Sequence, residues 1–210
     1  PEDLWIAVVG CFGDYYSPDF IDEFIQKYPA LLPQKMDLAE MIFNQPIGTL
    51  VRIFSFLLKG PTSEVNKCVK ILTRITSPEE IMEQKTSAGK YLYKHYEMIN
   101  QKYVPLFEAA KKQAGKDKLL LFYYTEDKWS FTSELANELS ALHPNKVILI
   151  AREKSGEMKC SLRSKNPILP ALEKALVGVE GYGGGHPVAC GAVIKKEDWE
   201  KFLEQFKKEI

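Results

Sequence analysis

The sequence predicts an α/β protein in two parts: a mostly helical stretch, residues 1–114, then residues 117–210, where helices flank a mixed β-sheet. Three observations predict it. From Asp19 to about Gln113, apolar residues recur at helical spacing between proline and glycine breaks. From Lys118 onward, apolar runs of strand length alternate with helical segments, the pattern of an α/β layer. Between the two, Gly115-Lys116-Asp117 reads as a linker.

Taken in order, Leu4-Trp5-Ile6-Ala7-Val8-Val9 is a continuous apolar run ending at Gly10, consistent with a buried strand or a buried helix segment. The chain opens almost directly into this run, so further sequence is expected upstream of Pro1. Ser17-Pro18-Asp19 starts a helix at Phe20, with proline at an early position where its missing N–H costs little. After a proline-punctuated connection from Ala30 to Lys35, a helix follows with Leu38, Met41 and Ile42 as its apolar positions. Ile47 to Leu58 is strongly apolar and stops at Lys59-Gly60-Pro61. Thr62-Ser63-Glu64 restarts a helix carrying Val65, Cys68, Val69 and Leu72, and Ser77-Pro78-Glu79-Glu80 opens another. A long helix then runs toward Lys112, with Tyr96, Ile99 and Tyr103 on one face. Tyrosines can stack on nucleic-acid bases, but this spacing fits a core stripe better. Lys111, Lys112, Lys116 and Lys118 read as a solvated boundary.

In the second part, Lys118–Tyr124 reads as a strand, Thr132–Leu142 as a helix and Val147–Glu153 as a second strand. Ser155-Gly156 turns the chain into a third strand, Glu157–Ser164. A helix around Leu169–Leu176, a glycine loop, a strand near Gly191–Ile194 and a last helix over Lys196–Lys208 complete the layer.

With 210 residues there is ample material for a core. Lys plus Arg and Asp plus Glu both number 28, so the net formal charge is zero. That argues against an overall electrostatic grip on nucleic acid; any phosphate binding must be local. Cys11, Cys68, Cys160 and Cys190 are widely spaced, as expected of reduced cysteines in a cytoplasmic protein. No apolar run approaches membrane-spanning length.

The stretch richest in chemistry is Gly181-Tyr182-Gly183-Gly184-Gly185-His186-Pro187-Val188-Ala189-Cys190-Gly191. Three consecutive glycines let the backbone come very close to a bound group, and successive N–H groups in such a turn can form an anion-binding nest. A short helix beginning after it would add to the anion preference. His186, at the lip, can donate a hydrogen bond or a full charge to a phosphate oxygen. A tight turn with a histidine beside it explains the same residues. Arg163-Ser164, at the end of the third predicted strand, pairs a planar bidentate donor with a flexible hydroxyl. Taken alone, such an arginine is ordinary surface charge. Asp14, past the end of the first buried element, is where α/β proteins place ligand-binding groups; it fits a helix cap or turn residue equally well.

GGGHPVACGAVI resembles the GGGH motif of the DHHA1 domain, the substrate-binding domain of the DHH phosphoesterase superfamily, which includes RecJ-type exonucleases, oligoribonucleases and archaeal relatives. Ser133-Glu134-Leu135-Ala136-Asn137-Glu138-Leu139, Pro144 to Ala151 and Ser161-Leu162-Arg163-Ser164 resemble the rest of that domain in order. The resemblance covers about residues 117–210 and implies that residues 1–114 are the last part of a DHH domain. It implies that Arg163, Ser164, Gly183, Gly184, Gly185 and His186 grip the phosphate or sugar end of a substrate. VVGCFGD resembles the segment that supplies one carboxylate to the family's two-manganese centre, which makes Asp14 a metal ligand. The implied cofactor of the full-length protein is Mn²⁺, with Mg²⁺ as the alternative.

The implied function is hydrolysis of phosphodiesters in nucleic acid or short oligonucleotides, this chain supplying the nucleotide-binding half. Expected partners are single-stranded nucleic acid, an oligonucleotide or a nucleotide, and either a second copy in a homodimer or an upstream DHH segment. No Asp-His-His occurs in the chain, and His95 and His143 do not sit beside carboxylates at ligand-like spacing. Catalysis by this chain alone is therefore not expected. Two rival readings remain: a non-catalytic nucleic-acid-binding or replisome scaffold of the same superfamily, and the tail domain of an alanyl-tRNA synthetase.

Overall fold

The computed structural model describes residues 3–125 and 128–210. These form ten α-helices and a five-stranded mixed sheet, gathered into two compact units, Pro1–Lys102 and Tyr103–Ile210.

The first unit is helical. α1 (Leu4–Gly13) buries Leu4, Trp5, Val8, Val9 and Phe12. That spacing follows one face of a 3.6-residue helix and not the alternation of a strand, so the first apolar run is a helix. Tyr15, with φ of 56°, then turns the chain away. α2 (Ile21–Lys27), α3 (Leu38–Asn44), α4 (Pro46–Leu57), α5 (Thr62–Leu72) and α6 (Pro78–Met82) begin and end close to the sequence breaks. α1 packs on α2 and α4, and α4 on α3 and α5. Trp5 meets Phe54 edge-on with ring centroids 5.8 Å apart.

α7 (Ser87–Lys111) is the long helix. Tyr96, Ile99 and Tyr103 are all buried, so their stripe is core and not a stacking surface. The units divide within this helix. Tyr103 belongs to the second, where its ring meets Phe131 edge-on and its hydroxyl donates to the Glu138 carboxylate. Gly115-Lys116-Asp117 also lies in the second unit, and Lys146 Nζ donates to the carbonyls of Gly115 and Asp117. Among the described residues, no helix is long and apolar enough to cross a membrane.

The second unit is a layered α/β fold. β1 (Leu119–Thr125), β2 (Val147–Lys154), β3 (Glu157–Arg163), β4 (Gly181–His186) and β5 (Ala189–Lys195) form one sheet in the order β1-β2-β3-β5-β4. β1 and β2 run parallel, joined through α8 (Thr132–Leu142), and the other pairs are antiparallel. α9 (Leu169–Ala175) and α10 (Trp199–Glu209) cover one face, closing a core of Leu149, Leu162, Cys190, Ile194, Phe202 and Phe206 among others. α8 packs on β2 and β3 and buries Leu135, Ala136 and Leu139. β2, central and covered on both faces, is apolar without alternation from Val147 to Ala151, as such strands are.

Two sequence expectations change here. The glycine loop is a strand: Gly181–His186 is the edge strand β4, paired residue by residue with β5. No helix follows it, because Pro187-Val188 turns directly into β5. An N–H nest backed by a helix dipole is thus replaced by a flat ladder whose N–H and C=O groups alternate in direction.

Candidate functional site

The sheet register builds the site. Arg163 on β3 pairs with Ala189 on β5, and Ala189 pairs with His186 on β4. Directly opposed residues project to the same face, so Arg163 and His186 stand on one face of the sheet, two strands apart. At about 4.8 Å per strand their Cα atoms are roughly 10 Å apart. The next row on the same face is Ser161, Gly191 and Gly184, and the one beyond it is Lys159, Val193 and Tyr182. α8 covers the β3 end of these rows, where Ser161 Oγ lies 3.0 Å from Thr132 Oγ1 and 3.2 Å from Ser133 Oγ. Beyond β3 the face is open, with Gly191, His186 and Tyr182 all exposed.

The glycines have different roles. A Cβ on Gly183 would stand 2.9 Å from the Gly191 carbonyl oxygen, and one on Gly185 would stand 2.6 Å from that of Ala189. Gly185 also has φ of 137°, a conformation rare for residues with a Cβ. Both glycines are therefore required by the hairpin itself. Gly184 is unlike them: nothing lies within 4 Å of its would-be Cβ. With Gly191 opposite, it leaves a floor without side chains between Arg163 and the edge strand. Glycine on an open strand face marks a place where another group can approach the backbone closely.

Arg163 is held in place and still has donors to offer. Nε donates to Asn137 Oδ1 at 2.7 Å and Nη1 to the Leu162 carbonyl at 2.8 Å. Among the described residues Nη2 has no partner. Burial lowers the guanidinium pKa from its ordinary value, while Cys190 and Glu134 pull the other way; it stays cationic at neutral pH. Ser164 sits at the bend. Its N–H donates to the Val188 carbonyl at 3.1 Å, and its hydroxyl accepts from the Asn166 N–H at 3.2 Å, which leaves the hydroxyl proton available. The Pro187 carbonyl accepts from the N–H groups of Ile168 and Leu169 at 2.7 and 3.3 Å. The turn after His186 is thereby fastened to the loop after Arg163, bringing Arg163, Ser164 and His186 to one end of the sheet.

Asn137 and Gly191 were missed as site residues from the sequence. The signal for Asn137 is its place four residues after Ser133, on the same face of α8. That for Gly191 is a glycine in the outward phase of an alternating strand.

Asp14 lies in the other unit. It follows a helix and not a strand, so the strand-end argument for it does not apply, and its side chain is exposed. Among the described residues no group of three or more His, Cys, Asp or Glu side chains could hold a metal ion, and His95 and His143 belong to none. The side chains described do not fit a two-metal centre.

The family model described as the DHHA1 domain matches residues 117–210. Residues 117–210 are thus a DHHA1 domain. The DHHA1 match contains every member of the row from Arg163 to His186. No curated protein sequence matches the chain. Among solved structures, the chain is similar to RecJ of Thermus thermophilus in complex with Mn²⁺, at 19% identity and a TM-score of 0.64, over 99% of this chain and 32% of that one. For the Mg²⁺ complex of that RecJ the values are 17%, 0.63, 99% and 34%. It is also similar to PggH of Vibrio cholerae, a pGpG-specific phosphodiesterase, at 15% identity and a TM-score of 0.52, over 91% of this chain and 68% of that one. These likenesses show a shared fold. The chain spans about a third of the length of the RecJ structures.

Proposed function

We propose that this chain supplies the nucleotide-binding half of a phosphoesterase that hydrolyses phosphodiester bonds in nucleic acid or short oligonucleotides. The observation behind the reading is the row Arg163–Ala189–His186, which sets a guanidinium and an imidazole on one face beside the bare floor of Gly184 and Gly191. A guanidinium with a free edge suits a phosphate oxygen pair. Ser164 and His186 add donors from the same end of the sheet. The floor admits a sugar or base edge to van der Waals contact with the backbone.

In this reading Asp14 contributes one carboxylate to a Mn²⁺ or Mg²⁺ centre whose other ligands are not in this chain. The described side chains do not by themselves build that centre. The same observation favours a second reading, a non-catalytic nucleic-acid-binding member of the superfamily. Assay of the full-length gene product for divalent-metal-dependent release of nucleotides separates the two. The four cysteines are free thiols, three of them buried, in keeping with a reducing cytoplasm.

Calorimetric titration of a 5′-phosphorylated dinucleotide tests the site. Arg163→Ala is expected to weaken binding by about 1.5–3 kcal/mol, the range for a charged hydrogen bond, and His186→Ala to weaken it as well. Unchanged affinity in both variants would sink the reading.

A further inference from the structure

A second surface, in the helical unit, carries positive charge that the nucleotide site does not use. Ser63, Asn66, Lys67, Lys70 and Arg74 on and just past α5 line an open hollow of about 500 Å³ together with Ile71. Steps of three, four and seven residues place them along one side of the helix. All five polar side chains are exposed. Lys67, Lys70 and Arg74 make no ion pair among the described residues. Lys67 Nζ instead stands 4.5 Å over the Tyr91 ring, a cation–π contact that holds the ammonium at this face. Glu64, at the flank, is half-buried and does not line the hollow.

In a chain with zero net charge, three cations without a carboxylate partner among the described residues, with two uncharged donors beside them, form a segregated cationic strip. We infer that this face of α5 binds the phosphate backbone of a single-stranded nucleic acid, as a contact separate from the Arg163–His186 row.

Geometry favours a strand over an acidic protein surface. At about 1.5 Å rise per residue, Lys67 and Lys70 stand roughly 4.5 Å apart along the axis, and Arg74 continues the line from the turn just past the helix. That is a line of charges at intervals close to those of successive phosphates in an extended strand. A protein partner would need an apolar centre to bury, and the hollow offers only the half-buried Ile71. Ser63 and Asn66 extend the line with donors suited to phosphate oxygens. Such a strip reads no sequence, and its affinity depends steeply on salt.

The test uses residues 1–210 and fluorescence anisotropy with a labelled oligothymidylate of about twenty nucleotides, over a series of salt concentrations. In the triple variant K67Q/K70Q/R74Q, affinity at low salt is expected to fall at least ~10-fold, and the slope of log K against log salt to become shallower by about 2, from roughly 0.7 per phosphate neutralised. The charge-preserving K67R/K70R/R74K should bind as the parent does, and dinucleotide affinity should not change in either. An unaltered salt slope in K67Q/K70Q/R74Q, with a parental melting temperature, overturns the inference. Tighter binding of a labelled polyglutamate peptide than of the oligonucleotide, lost in that variant, overturns it in favour of an acidic protein partner. Arg163→Ala should do the reverse, lowering dinucleotide affinity with the slope intact. If the parent binds no dinucleotide at all, the proposed function fails while the test of α5 stands.

Discussion

In the proposed site, Arg163 is already fixed by its other contacts. The Asn137 amide and the Leu162 carbonyl take two of its donors, so little side-chain entropy remains to be lost when Nη2 meets a phosphate. Asn137→Ala should therefore weaken dinucleotide binding by less than Arg163→Ala does, and the two losses should not add in a double-mutant cycle followed by calorimetry. Tyr124 gives a pH prediction for stability. It is buried, its oxygen accepts from the Phe131 N–H at 2.7 Å, and burial raises its pKa to about 12 from 10.0. The neutral phenol is thus favoured in the folded state, and its contribution is complete below pH 10. Between pH 10 and about 12 the unfolded chain loses this proton first, so stability falls by at most about 3 kcal/mol. Urea titrations from pH 9 to 11.5 should show this decline, and Tyr124→Phe should flatten it. That variant should also lose about 1–3 kcal/mol at neutral pH, because the Phe131 N–H loses its acceptor.

At the scale of elements, β4 makes a separable prediction about three adjacent glycines. Gly183→Ala and Gly185→Ala force a methyl against the β5 backbone, at 2.9 and 2.6 Å from carbonyl oxygens. Each should lower the melting temperature, Gly185→Ala more so because its φ of 137° adds about 1–3 kcal/mol of strain. Gly184→Ala meets nothing. It should leave the melting temperature within a degree or two of the parent and still weaken dinucleotide binding, because its methyl occupies the open floor. Equal destabilisation by all three would show that the floor has no role apart from the hairpin.

For the whole molecule, the expectation is binding without turnover. The Arg163 row needs no metal, and the described residues assemble no cluster able to hold one. Residues 1–210 should bind the dinucleotide equally well in EDTA and in manganese, and release no mononucleotide in either, as read by calorimetry and chromatography. Limited proteolysis addresses the proposed domain edges at 114 and 117. Residues 115–118 are exposed, although Lys146 ties down two of their carbonyls. First cleavage is expected near residues 113–118; first cleavage within the strands would count against that boundary.

The sequence by itself determined the helical first part, the α/β second part and most element ends. Periodicity, proline and glycine are local signals, and most elements obey them: α8 begins at Thr132 and ends at Leu142 as read. It also made Arg163, Ser164 and GGGH legible as a candidate set, through their family likeness. Only the tertiary structure decided that the glycine stretch is a strand. A flexible backbone has no propensity of its own, and β5 supplies the ladder that makes it extended. The same structure decided that α1 is a helix, because an unbroken apolar run fits either element until its burial pattern is known. It also decided which glycine faces the site, because that follows from cross-strand register, and register is set by pairing between residues distant in sequence.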